Sequence, residues 1–522
     1  MPNHYQMYRS LRSKKVLEQA CLYLDQGVRG LRFFDHAERE YLLKNKKIIV
    51  QELLQELKSK EGYKTKTAYA YFPPKSELCN RRMLCLHPKD HILRTAFVIV
   101  LSKYLEKDLL ESCYANRRAK GDYSDKHLLA DFADESWPNF CDWQKRCARR
   151  YNFMIRTDIT SFYDSVSHQY FIDRIKELTG LPNNCGFITL FRRIQEVPII
   201  SYSHSQKTNG GLQLSKLKQG LVIGSICDGY FSNLYLHPID VLMKEEGIEY
   251  GRYNDDMRIF GNSFEDVISA LQMIQEKLLE LGLNLNSSKT SKHEGQKSIE
   301  DMIHETQVQD YMEDEEDDLS NDDIKKNLDR PLNEKIDFSY KGRIKNKDAK
   351  IFCKWLLYKY FRWKDWETIF IKDLIKIMTE YRGSSKSAAW LLVKAFYNKK
   401  SLKKVQKKAA KAILRHLKDK RVCPHSRYRI IHHLIHPARR DECLDRLYKY
   451  TSEDELKNIF TENLSEKSFE LNIVSLNGLS MLGSSNSELK KIVEKNTGGD
   501  IPEPFMRCIR YQEQNLSINN EL

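Results

Sequence analysis

The chain has 522 residues, 41% of them hydrophobic, and carries 86 Lys and Arg against 72 Asp and Glu, a net charge of +14. That length exceeds one compact domain and provides for two to four. The twelve cysteines form no C-x-x-C pair, and the longest apolar run is AFVIVL at 96–101, so a zinc ribbon, a disulfide scaffold and a membrane span are excluded and a reducing cytoplasm is expected.

The charge is uneven. Between Glu300 and Asp323 there are twelve acids and no Lys or Arg, so the positive excess elsewhere is larger than the total. Such a field attracts polyanions, nucleic acid first among them, although a basic surface also serves plain solubility.

Residues 1 to about 60 read as amphipathic helices, with Gly62 as a stop and no apolar signal-peptide core in MPNHYQMYRSLRSKK. After the Pro73–Pro74 break, RRMLCL is a candidate strand segment leading into a long helix from about Asp90. From Tyr151 the pattern changes. YNFMIRTDI is a buried strand, SHQYFIDRIKEL a helix capped by Ser165 or Ser167, and FITLFRRI a further helical piece. A TNGG turn, the helix CDGYFSNLYLHPIDVLMKEE, the hairpin IEYGRYNDDMRIFG at 248–261 and the helix FEDVISALQMIQEKLLELG follow. Strands alternating with helices predict an α+β or mixed α/β core. The acidic stretch is expected to be a disordered insertion or linker. Beyond about Lys345 the chain reads as helix after helix, either a degenerate helical repeat or an ordinary bundle.

The chemistry starts at two places far apart in the chain. Asp158 ends a strand, and Asp255 and Asp256 stand at a hairpin turn with apolar residues around them. Were the two strands neighbours, three carboxylates would converge, and their repulsion would be relieved by cations. Oxygen ligands of this kind select Mg²⁺ or Mn²⁺, and two such ions suit in-line attack at phosphorus. Tyr163 sits five positions beyond Asp158, where the chain turns towards a helix.

RTDITSFYDSVSHQYF, QGLVIGSICDGYFSNLYL, RYNDDMRIF and LGLNLNSSKT resemble, in order, the four palm motifs of reverse transcriptases. They are most similar to the prokaryotic group II intron, retron and defence-associated abortive-infection branches, over about residues 70–290. The resemblance implies a right-hand palm-and-fingers fold followed by an all-α C-terminal domain. It implies 1–150 as N-terminal helices and fingers, and 151–299 as palm with fingers elements inserted at about 170–215. An acidic insertion or linker at 300–330 and a helical domain at 331–522 complete the expected organisation.

The same resemblance implies metal binding by Asp158, Asp255 and Asp256 and a sugar-facing Tyr163 that rejects a 2′-hydroxyl. Lys289 would donate a proton to pyrophosphate, and Arg81 or Arg82 would grip the incoming phosphates. Gly220, Gly224 and Ser225 would let backbone approach nucleotide, and Arg117 would lie near template. The usual Gly-x-Pro-Gln-Gly-Ser is departed from, with Val222 and Ile223 where Pro and Gln stand, which puts strict copying of a template in doubt. Asp228 is open between a structural role and primer contact.

The C-terminal segment SLKKVQKKAAKAILRHLKDKR places Leu402, Val405, Ala409, Ala412 and Ile413 on one helical face. Lys403, Lys404, Lys407, Lys408 and Lys411 lie on the other, a phosphodiester rail or merely a solvated face. The expected activity is therefore RNA-directed DNA polymerisation from dNTPs with two Mg²⁺ or Mn²⁺ ions, in anti-phage defence. It is templated, or else template-independent or protein-primed. The expected partners are an RNA template or DNA product, with room for a non-coding RNA and a homo-oligomer and none for a membrane. The alternative is a nucleic-acid-binding sensor or scaffold.

Overall fold

A computed structural model describes residues 4–26, 36–75, 78–121, 127–130, 135–201, 214–223, 227–310, 368–380, 385–397, 402–436, 440–466, 468–497 and 505–510. The helices up to residue 310 are α1 (His4–Leu11), α2 (Lys14–Gln26), α3 (His36–Lys44), α4 (Lys46–Lys58), α5 (Pro88–Leu105), α6 (Trp137–Ala148), α7 (Phe162–Ser165), α8 (His168–Thr179), α9 (Gly186–Gln195), α10 (Cys227–Glu245), α11 (Phe264–Glu280) and α12 (Gln296–Asp310). The strands are β1 (Ala68–Tyr71), β2 (Met83–Cys85), β3 (Phe153–Thr157), β4 (Pro198–Ser201), β5 (Leu214–Lys216), β6 (Glu249–Tyr253), β7 (Asp256–Gly261) and β8 (Ser291–Glu294). They make two four-stranded sheets, ordered β2-β1-β4-β5 and β6-β7-β3-β8.

Local chemistry sets the boundaries. Pro88 opens α5 with the His87 side chain accepting from Lys89 N, two residues before the expected start. Ser167, rather than Ser165, caps α8, and Gly180 ends it in the left-handed region. Ser263 and Asp266 form a reciprocal capping box at α11.

Period-two alternation divides the second sheet between two cores. Ile155 and Ile259 join the large cluster of α5, α8, α10 and α11, whereas Met154 and Phe260 face Trp137, Phe140 and Trp143 of α6 and Ile299, Met302 and Ile303 of α12. The acidic stretch therefore begins inside a packed helix, not in a disordered insertion. Its residues 311–323 lie outside the described residues.

The first sheet is also covered on both faces. Ala68, Ala70 and Leu84 pack with Val197 and Leu217, while Tyr69, Tyr71, Met83 and Cys85 share a core with the C-terminal helices. Tyr69 stacks on Phe469 with ring centroids 5.4 Å apart, and buried Arg507 pairs with buried Glu38 at 3.1 Å. Those helices span Thr368–Glu380, Ser385–Tyr397, Lys403–Lys418, Pro424–Leu434, Arg440–Leu447, Glu453–Asn463, Phe469–Met481 and Asn486–Thr497. In Lys403–Lys418, Val405, Ala409, Ala412 and Ile413 are buried and Lys403, Lys404, Lys407 and Lys411 exposed, with Lys408 half-buried. Leu402 departs from the expected apolar face: it stands at the N-cap, 39% exposed. The region is helical where described, which agrees with an α/β unit followed by a helical one. Among the described residues no helix is long and apolar enough to cross a membrane.

Candidate active site

β3 lies antiparallel to β7, with Thr157 opposite Met257, so Asp158 leaves its strand beside the turn of the β6–β7 hairpin. That turn is Asn254–Asp255, closed by the Tyr253–Asp256 pair. Asn254 adopts φ 55, a left-handed conformation that asparagine tolerates. From the other side, Asn286 N donates to Asp158 O at 2.7 Å and Thr160 N to Asn284 O at 2.8 Å, docking residues 284–286 along the strand end. A short 3-10 turn, Ser287–Lys289, then brings the Lys289 ammonium onto Asp158 Oδ2.

The carboxylates do not share one environment. Burial, and then the charge of Asp158, push the Asp255 carboxyl well above the usual range. For Asp256 burial opposes ionisation, but Arg258, with Arg156 and Lys289, outweighs it and holds the carboxyl below the usual range. Arg258 takes both oxygens at 2.6 and 2.8 Å, and Arg156 lies 3.6 Å away. Asp158 and Asp255 thus act directly on one another, while Asp256, within electrostatic reach of Asp255 and of Lys289, is paired to arginine. Among the described residues no group of three or more His, Cys, Asp or Glu is arranged to hold a metal.

The pair that remains does fit a divalent cation. Asp158 Oδ1 is buried and meets no hydrogen-bond donor, and Asp255 brings a second carboxylate whose charge is costly without a counter-ion. Lys289 supplies part of that countercharge. Burial alone would lower its pKa, but the hydrogen bond and charge of Asp158, aided by Asp255 and Asp256, raise it.

Gly220 and Leu221 pack against the turn of α7 that follows Asp158. Gly220 N donates to Val166 O and Leu221 N to Tyr163 O, each at 2.7 Å. A Cβ at Gly220, whose φ is +92, would stand 2.8 Å from Tyr163 O and 3.0 Å from Arg82 Nη2, so only glycine permits this approach. Arg82 reaches the same place and pairs with Asp164 at 2.6 Å, while Arg81 is exposed. Burial, then the charges of Asp255 and Asp228, raise the Tyr163 hydroxyl pKa, which places that ring near the carboxylates. Asp228 is structural: it pairs with buried Arg94 at 2.5 Å and accepts from Val222 N at 3.1 Å. Gly224 and Ser225 lie outside the described residues.

Arg117 is not presented to a ligand. Its five N–H groups go to Glu106 Oε1 and the carbonyls of Glu106, Leu109, Leu110 and Cys113, at 2.7–3.4 Å. It thus ties together the 3-10 turn Glu106–Asp108 that follows α5 and the loop running on to Cys113. The lysines of Lys403–Lys418 are on one of the C-terminal helices.

Sequence reasoning missed the residues that support the turn. Arg252 is fully buried and donates to Asp240 at 2.7 and 2.8 Å, to Asn233 Oδ1 at 2.9 Å and to Asn254 O at 3.1 Å. Arg258 also reaches Gln144 Oε1 at 3.1 Å and lies 5.7 Å from the Phe140 ring centroid. An arginine three residues before Asp255 and another two residues after Asp256, one on each strand of the hairpin, were the available signal, although arginine in a sequence ordinarily indicates surface.

No curated protein matches this chain. Residues 100–306, which hold Asp158, Asp255, Asp256, Tyr163 and Lys289, match the family described as reverse transcriptase (RNA-dependent DNA polymerase). The chain therefore carries a reverse transcriptase domain, and its enzyme class is RNA-directed DNA polymerase, a nucleotidyltransferase.

Proposed function

We propose that residues 1–150 and 151–299 are the fingers and palm of a right-hand polymerase, with fingers elements at about 170–215. Residues 300–330 would then join them to a helical-repeat domain at 331–522, as in the abortive-infection branch. The enzyme adds deoxynucleotides to a growing strand in anti-phage defence. The observation that carries this reading is the meeting of Asp158 and Asp255, delivered by β3 and by the β6–β7 turn.

Asp158 and Asp255 hold Mg²⁺ or Mn²⁺, with Asp256 a less direct contributor. Bound as a pair, these ions supply activation of the attacking hydroxyl and neutralisation of the departing pyrophosphate. The chain's own groups do the rest. Lys289 exchanges Asp158 for the triphosphate and gives a proton to the leaving group. Arg82, seconded by Arg81, releases Asp164 to grip phosphate oxygens with its planar guanidinium. Tyr163 bears on the sugar and excludes a 2′-hydroxyl, and the Gly220 loop, continuing to Gly224 and Ser225, lies along the nucleotide. Lys403, Lys404, Lys407, Lys408 and Lys411 form a rail for RNA template, DNA product or a non-coding RNA.

A second reading, synthesis without a conventional template or from a protein hydroxyl, is favoured by Val222 and Ile223. Val222 packs with the first sheet and Ile223 against the core that sheet shares with the C-terminal helices, so neither offers a polar side chain to a templating pair. The test is purified full-length protein with Mg²⁺ and each dNTP, with and without an RNA template. Template-dependent product supports the first reading, product without template the second. No product in either arm overturns polymerisation and leaves a binding scaffold. The defence role is tested by phage plating on cells carrying the wild type or Asp255→Asn; equal plating overturns it.

A further inference from the structure

We propose that Asn116 is a positioning residue for the Asp255 carboxylate, acting through Asn254. The inference rests on the assignment of Asp158 and Asp255 as the catalytic pair.

Asn254 and Asp255 are the whole of the hairpin turn, so whatever fixes the first fixes the direction in which the second leaves the backbone. The Asn116 amide Nδ2 donates to Asn254 Oδ1 across 138 residues of chain. Both ends of this bond are left-handed, φ 51 at Asn116 and φ 55 at Asn254. Such a backbone is unfavourable at a residue other than glycine and persists where the surroundings impose it.

The surroundings do impose it. Helix α10 leaves room for the Asn116 amide only because residue 229 is glycine: a Cβ there would stand 2.4 Å from Asn116 Cγ. Four residues on, Asn233 Nδ2 donates to Ala115 O at 2.7 Å and to Asn116 O at 3.3 Å. Asn233 Oδ1 in turn accepts from Arg252 Nη1, which also donates to Asn254 O. Backbone bonds complete the attachment, Arg252 N to Ser112 O at 2.8 Å and Tyr114 N to Arg252 O at 3.1 Å.

The result is a closed circuit in which Asn254 is gripped at its side chain by Asn116 and at its carbonyl by Arg252. The circuit opposes the natural tendency of two facing carboxylates to separate. Asn116 touches neither substrate nor reacting atoms; it holds the turn so that Asp255 stays within reach of an ion shared with Asp158. Glycine retains the left-handed backbone at either position while deleting the amide, so Asn116→Gly and Asn254→Gly remove the clamp with little other change.

The experiment uses full-length protein. Mn²⁺ affinity is measured by electron paramagnetic resonance, dTTP incorporation on poly(rA)/oligo(dT) is measured kinetically, and melting in EDTA monitors the fold. Each single variant is expected to weaken Mn²⁺ binding and lower kcat about tenfold, with KM for dTTP within about twofold, as loss of a residue supporting a metal ligand does. The double variant should be no worse than either single. Unchanged Mn²⁺ affinity and kcat, or losses that multiply in the double variant, overturn the inference; if Asn116→Gly does not fold, Asn254→Gly carries the same test. Asp255→Asn runs alongside. If it retains incorporation, the catalytic reading itself fails; if it abolishes incorporation while the asparagine variants behave as wild type, only the role of Asn116 fails.

Discussion

Arg258 lies two residues beyond Asp256 on β7, and its Nη1 and Nη2 donate to the two oxygens of that carboxylate. Residues two apart on a strand share a face, so a fully buried guanidinium and a partly exposed carboxylate neutralise each other beside the reactive pair. Removing one partner leaves the other with an uncompensated charge. Arg258→Met should cost about 3 kcal/mol of unfolding free energy in urea, and Asp256→Asn combined with it should recover part of that loss. Equal stabilities of Arg258→Met and wild type would show the pair to be inert.

Asp255 should respond in the opposite sense. Burial and the charge of Asp158 make its ionised form unfavourable, so Asp255→Asn should raise the melting temperature in EDTA. The same variant should lose about a thousandfold in dNTP incorporation, corresponding to roughly 4 kcal/mol of transition-state stabilisation. A variant both destabilised and active would contradict the assignment.

Arg117 gives a prediction that separates support from recognition. With all five donors spent on Glu106 and four carbonyls, Arg117→Ala should lower the unfolding free energy by about 2 kcal/mol or more, since several carbonyls lose their donor together. Filter binding of RNA below the melting temperature should not change. Weaker RNA binding without loss of stability would return Arg117 to a recognition role.

The start of α5 contains two titrations of opposite sign. Burial raises Asp90 to about 7, moderated by the Tyr63 hydroxyl, the Lys66 N–H and the charges of Lys66 and Arg94. Burial, with Arg94 and Arg507, lowers His91 to about 3. Folded protein therefore holds a proton on Asp90 that the unfolded chain has released, and stability from this group falls as pH rises from about 4 to 7. For His91 the unfolded chain holds the extra proton, and stability rises between about 3 and 6.5. Wild type is partly balanced. Asp90→Asn should unmask the rise, up to about 1.4 kcal/mol per pH unit, and His91→Gln the fall, both read as unfolding free energy from pH 4.5 to 6.5. Parallel slopes in all three proteins would refute the balance.

The frame of the site is legible in the sequence because periodicity and turn chemistry are local. YNFMIRTDI alternates as a strand should, the Asn254–Asp255 turn announces a hairpin, and Ser263 with Asp266 marks the start of α11. What sequence does not expose is desolvated polarity. Arg94, Arg252 and Arg258 are fully buried, yet nothing in their type distinguishes them from the exposed Arg81. Asp256 was grouped with its neighbour for the same reason: adjacent carboxylates look equivalent until one acquires a guanidinium. Arg117 likewise misleads, because a basic residue in a loop indicates a ligand unless the carbonyls it binds within that loop are known. The acidic run from Glu300 looks unstructured by charge alone, while Ile299, Met302 and Ile303 anchor its first turns.

Tyr69, Tyr71, Met83 and Cys85 of the first sheet belong to the same apolar cluster as residues from 371 to 509. A catalytic fragment cut before residue 368 would leave that sheet face bare and would lose the Arg507 partner of Glu38. Shortening the gene there would expose an apolar face to water, so a minimal polymerase calls for a polar redesign of the tyrosine face.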